Sequence, residues 1–362
     1  MLRIKHISTA ETWRGGEQQI AYLIKYLNGK TIQTLFCPEN AALNTKIQND
    51  IPLEHFIKNG SLLVQAAKKL YRNEQVAPSN IIHCHDSHAH NIYLLSSLLF
   101  GLKTHAVITR RIEKPITSIV SKYKYNYPQI EKIACVSEAV KRRLEPSIRI
   151  KSKLTTIHSG IDIDKFKQNQ TANILKKEFQ LPKDSILIGN IGALTDQKDH
   201  ETFIKTAKEI IQQNPNTYFF IAGEGELKEI LLNQIALENL KDHVFLLGFR
   251  NDIPELLQSF DIFLFTSIFE GIGTTLLDAM AANVPIVSTN VSGIPEIITH
   301  NFNGFIHPPK DVKHLTESTL YLLKSKELRE KFKANGQITV QNFSYQHTGK
   351  KYLQLYQQIS KT

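Results

Sequence analysis

Residues 261–289, DIFLFTSIFEGIGTTLLDAMAANVPIVST, decide how the chain folds. The apolar run 261–266 predicts a strand, and Gly271 and Gly273 break it. The small-residue segment 274–282 predicts a helix, and the run led by Pro285 predicts a second strand. Two short apolar strands joined through a helix make a βαβ unit, whose strands are parallel and covered on both faces.

Working outward, the same alternation fills the chain. Strands are expected at 186–192, 218–223, 244–248, 261–266, 285–289 and 304–308. Helices are expected near 199–213, 225–238, 252–258, 274–282, 293–299 and 310–323. The first half repeats the pattern with strands at 2–8, 31–37, 80–85, 105–110, 132–137 and 153–159. Its helices are expected at 17–28, 61–73, 89–100, 116–126 and 138–145. The class is therefore α/β, with two doubly wound, Rossmann-like parallel-sheet domains. They are expected at 1–165, completed by a helix at 345–362, and at 166–344. The junction lies near Gly160 to Gln170.

Bulk composition fits a soluble globular protein of 362 residues, 41% apolar and 22% charged. The N-terminus MLRIKHISTAETW lacks the apolar core of a signal peptide, so a cytoplasmic location is expected. Three widely spaced cysteines, Cys37, Cys84 and Cys135, form no CxxC and read as reduced thiols. The net charge of +10 is uneven. Residues 1–165 carry 24 Lys/Arg against 13 Asp/Glu, a net +11, while residues 166–362 carry 20 against 21, a net −1. The excess is dense between Arg110 and Lys153. The plain reading is a solvated face; an anionic membrane surface or acidic acceptor is the functional one. Nucleic acid is not expected, because no DNA- or RNA-binding module is visible.

In open α/β sheets the ligand lies beyond the carboxyl ends of the strands, so the chemistry is sought in the loops there. In FEGIGTTLLD, Gly271, Ile272 and Gly273 let a ligand approach the main chain. Amides at the helix start near Thr274 and Thr275 suit a phosphate, while Glu270 and Asp278 can accept sugar hydroxyls. A dinucleotide fingerprint fits poorly, since Leu276 stands at the third glycine position. In GNIGALTDQKDHETF, Lys198 precedes a helix and could meet a diphosphate. In WRGGEQQIAYL, Gly15 and Gly16 open the first helix. HCHDSHAHN holds four histidines. His83 and His85 share a strand face whereas His88 and His90 begin a helix, so no metal is expected. His85 and Asp86, at the strand end, suit a substrate hydroxyl.

These segments resemble the retaining glycosyltransferase family 4. FEGIGTTLLDAMAANVPIVSTNVSGIPEII is similar to its nucleotide-sugar signature, WRGGEQQIAYL to its first glycine loop, and GALTDQKDHETFI to its second. VITRRIEKP and CVSEAV resemble the acceptor domain of its polysaccharide and lipopolysaccharide members. The resemblance implies a GT-B fold, two Rossmann-like domains facing across a cleft. It implies metal-independent, retaining transfer from a nucleotide-diphosphate sugar to a glycan or lipid-linked hydroxyl; the +11 charge of the first domain and its basic segment 141–153 suggest that a lipid-linked acceptor lies at the anionic inner face of the cytoplasmic membrane. Glu270, Lys198 and His85 would be catalytic. Gly15, Gly16, Gly271, Ile272, Gly273, Thr274, Thr275 and Asp278 would bind the donor. Trp13, Arg14, Asp86, His88, Arg110 and Arg111 would face the acceptor. Asp278 stands where the family usually has Glu, and Ala193 where it often has a phosphate-binding Arg. The other readings are a non-catalytic nucleotide-sugar-binding protein and a nicotinamide-dependent Rossmann enzyme.

Overall fold

A computed structural model of the chain describes residues 1–47, 49–57, 63–167 and 174–360. The chain divides into two compact units, Met1–Gly160 with Tyr345–Thr362, and Ile161–Ser344. The change of unit falls between Gly160 and Ile161 rather than at 165. Positions 61 and 62 of the expected helix 61–73, and 168–170 of the expected junction, lie outside the described residues, as do 361 and 362.

The first unit is built on strands β1 (Arg3–Ile7), β2 (Ile32–Pro38), β3 (Leu53–Phe56), β4 (Ile81–Cys84), β5 (Ala106–Arg110), β6 (Ile130–Cys135) and β7 (Leu154–Thr156). All pairs are parallel, in the order β3-β2-β1-β4-β5-β6-β7. The second unit carries β8 (Ile186–Ile191), β9 (Thr217–Ala222), β10 (Val244–Gly248), β11 (Ile262–Phe265), β12 (Ile286–Thr289) and β13 (Phe305–His307). They too are parallel, in the order β10-β9-β8-β11-β12-β13. Each sheet therefore winds outward from its first strand in both directions. The winding reverses between β1 and β4 in one unit and between β8 and β11 in the other. At such a reversal the crossover helices leave to opposite faces, and a crevice opens at the carboxyl ends of the two strands.

The burial follows from this arrangement. Central strands β4, β11 and β12 are buried along their whole length. Alternate residues of β11 serve opposite cores: Phe263 and Phe265 pack on one face, Ile262 and Leu264 on the other. This is the two-sided burial that a parallel sheet requires.

Three sequence expectations need correction. Strand β3 was not anticipated, because LEHF carries two polar residues and breaks the apolar pattern. Its Glu54 is explained by Lys5 on β1, a cation only 1% exposed. The Lys5 ammonium lies 3.0 Å from both Glu54 and Glu74, the latter on the helix Leu63–Val76. Second, the helix expected at 293–299 is only a short 3-10 turn, Ile294–Glu296. Ser292 has a left-handed φ of 52°. Farther on, the Asn303 side chain accepts from the Thr299 amide and donates to the Ile297 carbonyl, taking groups that a helix would pair internally. Third, a helix at Lys326–Val340, absent from the sequence reading, packs Phe332 and Val340 inward.

The Lys5 cluster gives a stability test. Lys5→Met leaves carboxylates buried without a cation and is expected to cost about 3–5 kcal/mol in denaturant unfolding. Adding Glu54→Leu and Glu74→Leu is expected to recover most of that loss. If the triple variant were no more stable than Lys5→Met, the ion cluster would not be the cause.

Candidate functional site

The residues singled out from sequence gather at the two reversal points, one constellation in each unit. In the second unit, Lys198 ends a 3-10 turn after β8 (Asp196–Lys198), and Glu270 follows β11. The Lys198 ammonium donates to Glu270 Oε1 at 2.5 Å, with side-chain exposures of 15% and 9%. Ser267 Oγ donates to the same oxygen at 2.9 Å. The Glu270 amide donates to Ser292 Oγ at 3.0 Å. Gln197 fastens the loop from behind, its side-chain amide donating to the Phe269 carbonyl and its own carbonyl accepting from the Ile268 amide. Lys198 also sits 4.8 Å from the Phe265 ring centroid. Seventy-two residues of sequence separate the two charges; the adjacency of β8 and β11 brings them together.

The helix Thr274–Ala281 begins beside Glu270. Its N-cap is Gly273 at φ 76°, which has no side chain to satisfy the first amides. Thr274 and Thr275 are partly exposed there, so the helix start can meet an anion. Ile272 behaves differently: its side chain is 3% exposed and belongs to the core, so only its main chain can serve a ligand. Asp278 lies one turn into the helix and is partly buried. Burial raises its carboxyl to about 7, with the Lys165 charge pulling the other way. Gly223 closes the floor: at φ 150°, a Cβ there would stand 1.9 Å from the Gly192 carbonyl oxygen. Where the family's arginine is expected, Ala193 offers only its carbonyl, bonded to the neutral ring of His200 at 3.2 Å. The His200 pKa is lowered to about 4 by burial.

In the first unit, Gly15 and Gly16 open the helix Gly15–Leu27 after β1. The Arg14 amide donates to Glu17 Oε2 at 3.0 Å, the acidic half of a capping box, which fixes the turn. A Cβ on Gly16 would touch the Arg111 side chain at 3.8 Å. Arg111 in turn shares a narrow recess with Gln19, His85, Thr348 and Tyr352. Other sequence candidates do structural work. Asp86 accepts from the amides of Thr9, His88 and Ala89 and from the Thr9 hydroxyl, tying β1 to the helix Ser87–Phe100. Arg110 donates to the Tyr125 hydroxyl and the Lys114 carbonyl. Trp13 packs against the cluster of Ile20, Leu35 and Ile47, with the Lys46 ammonium 5.8 Å from its ring. Arg14 and His88 are exposed.

His85, 3% exposed, lies just past β4. It belongs to a group of three buried histidines whose ligand atoms lie within 4.8 Å of one another: His6, His83 and His85. His6 was missed in the sequence. It is brought in by the register of β1 against β4, which sets His6 opposite His83. The signal was there in principle, since HIS on β1 and HCH on β4 place histidines at the strand ends. His6 Nδ1 is 3.0 Å from His85 Nε2, and His6 Nε2 is 3.2 Å from Gln33 Oε1. His83 is bonded through Nδ1 to the Tyr356 hydroxyl at 2.6 Å and through Nε2 to Thr109 Oγ1 at 2.7 Å. Burial first, and the neighbouring rings second, hold His83 and His85 well below the ordinary histidine range. Burial lowers His6 to about 4. All three are neutral at pH 7. Five of their six nitrogens are engaged with one another or with side-chain oxygens, and His85 Nδ1 has no partner among the described residues.

Comparison with known proteins agrees with this geometry. Residues 172–339 match the family described as glycosyl transferases group 1, and residues 13–165 match glycosyltransferase family 4. The chain is 27% identical over 322 residues to the UDP-Gal:alpha-D-GlcNAc-diphosphoundecaprenol alpha-1,3-galactosyltransferase of Escherichia coli, covering 82% of this chain and 83% of that one. It is 30% identical over 216 residues to an amylovoran biosynthesis glycosyltransferase of Erwinia amylovora, covering 56% and 51%. Among solved structures, Anabaena HepE in complex with UDP and glucose superposes with a TM-score of 0.88 at 19% identity, covering 99% of this chain and 100% of that one. A glycosyltransferase from Rickettsia africae superposes at 0.86 and 20% identity, covering 99% and 98%. From these matches and the two parallel-sheet units, the chain belongs to the family 4-like glycosyltransferases of GT-B fold.

Proposed function

We propose that the chain moves a sugar from UDP to a hydroxyl of a lipid-linked or cell-surface glycan, with retention at the anomeric carbon and without a metal. The observation that carries this reading is the buried Lys198–Glu270 pair beside the uncapped start of the helix Thr274–Ala281. A departing nucleoside diphosphate needs positive potential. Lys198 and the first amides of that helix supply it from a fixed framework. Lys198 and Ser267 both donate to Glu270 Oε1, so the carboxylate is oriented before substrate arrives. Its Oε2 then accepts a hydroxyl of the transferred sugar, while Asp278 accepts the ribose. In the first unit, His85 orients a substrate hydroxyl.

UDP and a lipid-linked acceptor are inferred from the Escherichia coli relative, whose name states UDP-Gal and a diphosphoundecaprenol-linked GlcNAc. Retention is inferred from the family, with front-face attack through an oxocarbenium-like state. A nicotinamide reading is disfavoured because Leu276, at the third glycine position, is fully buried in the core.

A lipid-linked acceptor implies that the protein works at the inner face of the cytoplasmic membrane. The short helix Ile119–Tyr125 supports this: Ile119 and Val120 are 85% and 74% exposed, with Lys122 beside them. Among the described residues no helix is long and apolar enough to cross a membrane.

Calorimetry with UDP-galactose and UDP-glucose in EDTA is expected to give undiminished binding. Lys198→Ala and Glu270→Ala are each expected to lower kcat/KM about 100- to 1,000-fold. Binding without turnover on any lipid-linked glycan would instead favour a non-catalytic sugar-nucleotide binder. Proton NMR of the first product formed is expected to show the donor's anomeric configuration.

Asp278→Asn separates a binding role from a structural one. With its carboxyl raised to about 7, the folded state holds a proton that the unfolded state releases above an ordinary value near 4. Stability contributed by the protonated form is therefore lost as pH rises from about 4 to 7. The asparagine variant is expected to match wild type at pH 4. By pH 8 it is expected to be more stable by roughly 2 kcal/mol, yet to bind UDP more weakly. Equal stability at both pH values would overturn the burial argument.

Flotation with vesicles containing anionic phospholipid, at low salt, is expected to carry the wild type. Ile119→Ser with Val120→Ser is expected to reduce that fraction several-fold. Failure of the wild type to float would count against membrane association.

A further inference from the structure

Three buried histidines in contact pose a question of proton placement, because two neutral rings can share a hydrogen bond only if one donates and the other accepts. The hydrogen bonds around His6 and His85 have one consistent solution. It starts at Gln33, which is 3% exposed on β2. The Gln33 side-chain amide nitrogen donates to the Ile24 carbonyl at 3.2 Å. Reversing that amide would set its oxygen against a carbonyl oxygen. Gln33 Oε1 therefore faces His6 Nε2, at 3.2 Å, and can only accept. The proton of the neutral His6 ring is then on Nε2, and its Nδ1 carries a lone pair. His6 Nδ1 is 3.0 Å from His85 Nε2, so His85 must hold its own proton on Nε2. What is left is His85 Nδ1, buried and without a partner among the described residues.

We infer that Gln33 and His6 form a relay of positioning residues. They lock His85 as the Nε2–H tautomer, so that Nδ1 stands as a bare hydrogen-bond acceptor for a substrate hydroxyl. The inference rests on the role proposed above for His85 and adds the direction of its hydrogen bond. The locked ring accepts a hydrogen bond from a hydroxyl at Nδ1 and cannot donate from that atom to an ether or phosphate oxygen.

The surroundings keep the ring in this state. His85 is faced by His83, whose ring centroid is 3.9 Å away, by His6 at 5.2 Å, and by Arg111 and Tyr352 across the recess. His83 is bound on both nitrogens to Tyr356 and Thr109, and so offers His85 no competing partner. Tyr352 Oη is engaged with Thr109 Oγ1 at 3.0 Å. Burial first, then the neighbouring His83 and His6 rings and the Arg111 cation, disfavours a second proton on His85. A buried polar atom left unpaired is rare in a folded protein and calls for an explanation; a ligand hydroxyl supplies one.

The tautomer can be read directly in the full-length protein labelled with 15N-histidine. Long-range 1H–15N correlation near pH 7, with the ring of His85 assigned through His85→Gln, is expected to show protonated Nε2 and unprotonated Nδ1. His6 is expected to show the same. A His85 ring protonated on Nδ1 overturns the relay, as does stoichiometric zinc binding that His6→Gln abolishes.

Two variants test the positioning role. Gln33→Leu removes the acceptor that orients His6; His85 is then expected to show both tautomers. In that variant kcat is expected to fall about 10- to 100-fold, with UDP affinity within about twofold of wild type. Gln33→Glu, with its buried carboxyl protonated, can donate to Ile24 and accept from His6 as the amide does. It is expected to keep the single tautomer and to restore kcat to within about threefold of wild type. A single unchanged tautomer in Gln33→Leu, or unchanged kcat beside a mixed one, overturns the role. These outcomes are separate from the transferase reading, because the tautomer is measured without turnover, and Lys198 and Glu270 lie in the other unit.

Discussion

Both units depend on one constraint. A right-handed crossover between parallel strands must cover one face of the sheet, and a sheet buried on both faces needs its winding to reverse once. In each unit the reversal is made at the first strand, β1 or β8, and the fourth strand in chain order lies on its other side. The loops leaving those two strands diverge to opposite faces and leave main chain exposed between them. This is where Gly15, Gly16 and His85 are set in the first unit, and Lys198, Glu270 and Gly271 in the second. The positions follow from connectivity; the chemistry comes from which side chains were placed there.

The two constellations differ in how they are held. Around Glu270 the restraint is charge: an ammonium, a serine hydroxyl and a main-chain amide fastened by Ser292 hold one carboxylate. An ion pair with so little exposure is costly to assemble, because both charges lose their water, and costly to break, because one charge is then left buried and unpaired. Around His85 the restraint is neutral: burial keeps the rings uncharged, and each proton position is dictated by the next acceptor in line. In the proposed reaction, one site offers fixed charge to a leaving diphosphate. The other offers a fixed lone pair.

The sequence was most legible where parallel-strand burial writes a continuous apolar run. IIHC, IFLF and IVST were read as strands because nothing polar interrupts them beyond what pairs inside. Reading failed where a polar residue is satisfied by a distant one. Glu54 hid β3 because its partner, Lys5, lies 49 residues away. Asn303 removed a helix at 293–299 by bonding backbone groups outside any local ladder. Asp86 looked like a substrate ligand, yet four hydrogen bonds from Thr9, His88 and Ala89 engage both its oxygens.

The sequence by itself determined the alternation of strands and helices, the two-unit organisation, and the glycine and acidic residues of the strand-to-helix loops, because these are local patterns of apolar spacing and backbone freedom. Only the tertiary structure decided that Lys198 pairs with Glu270, that Gly16 meets Arg111, and that His6 and Gln33 stand behind His85. Each of those contacts joins residues from different strands or loops. Strand order and register in the sheet, which no short window of sequence encodes, decide which of them meet.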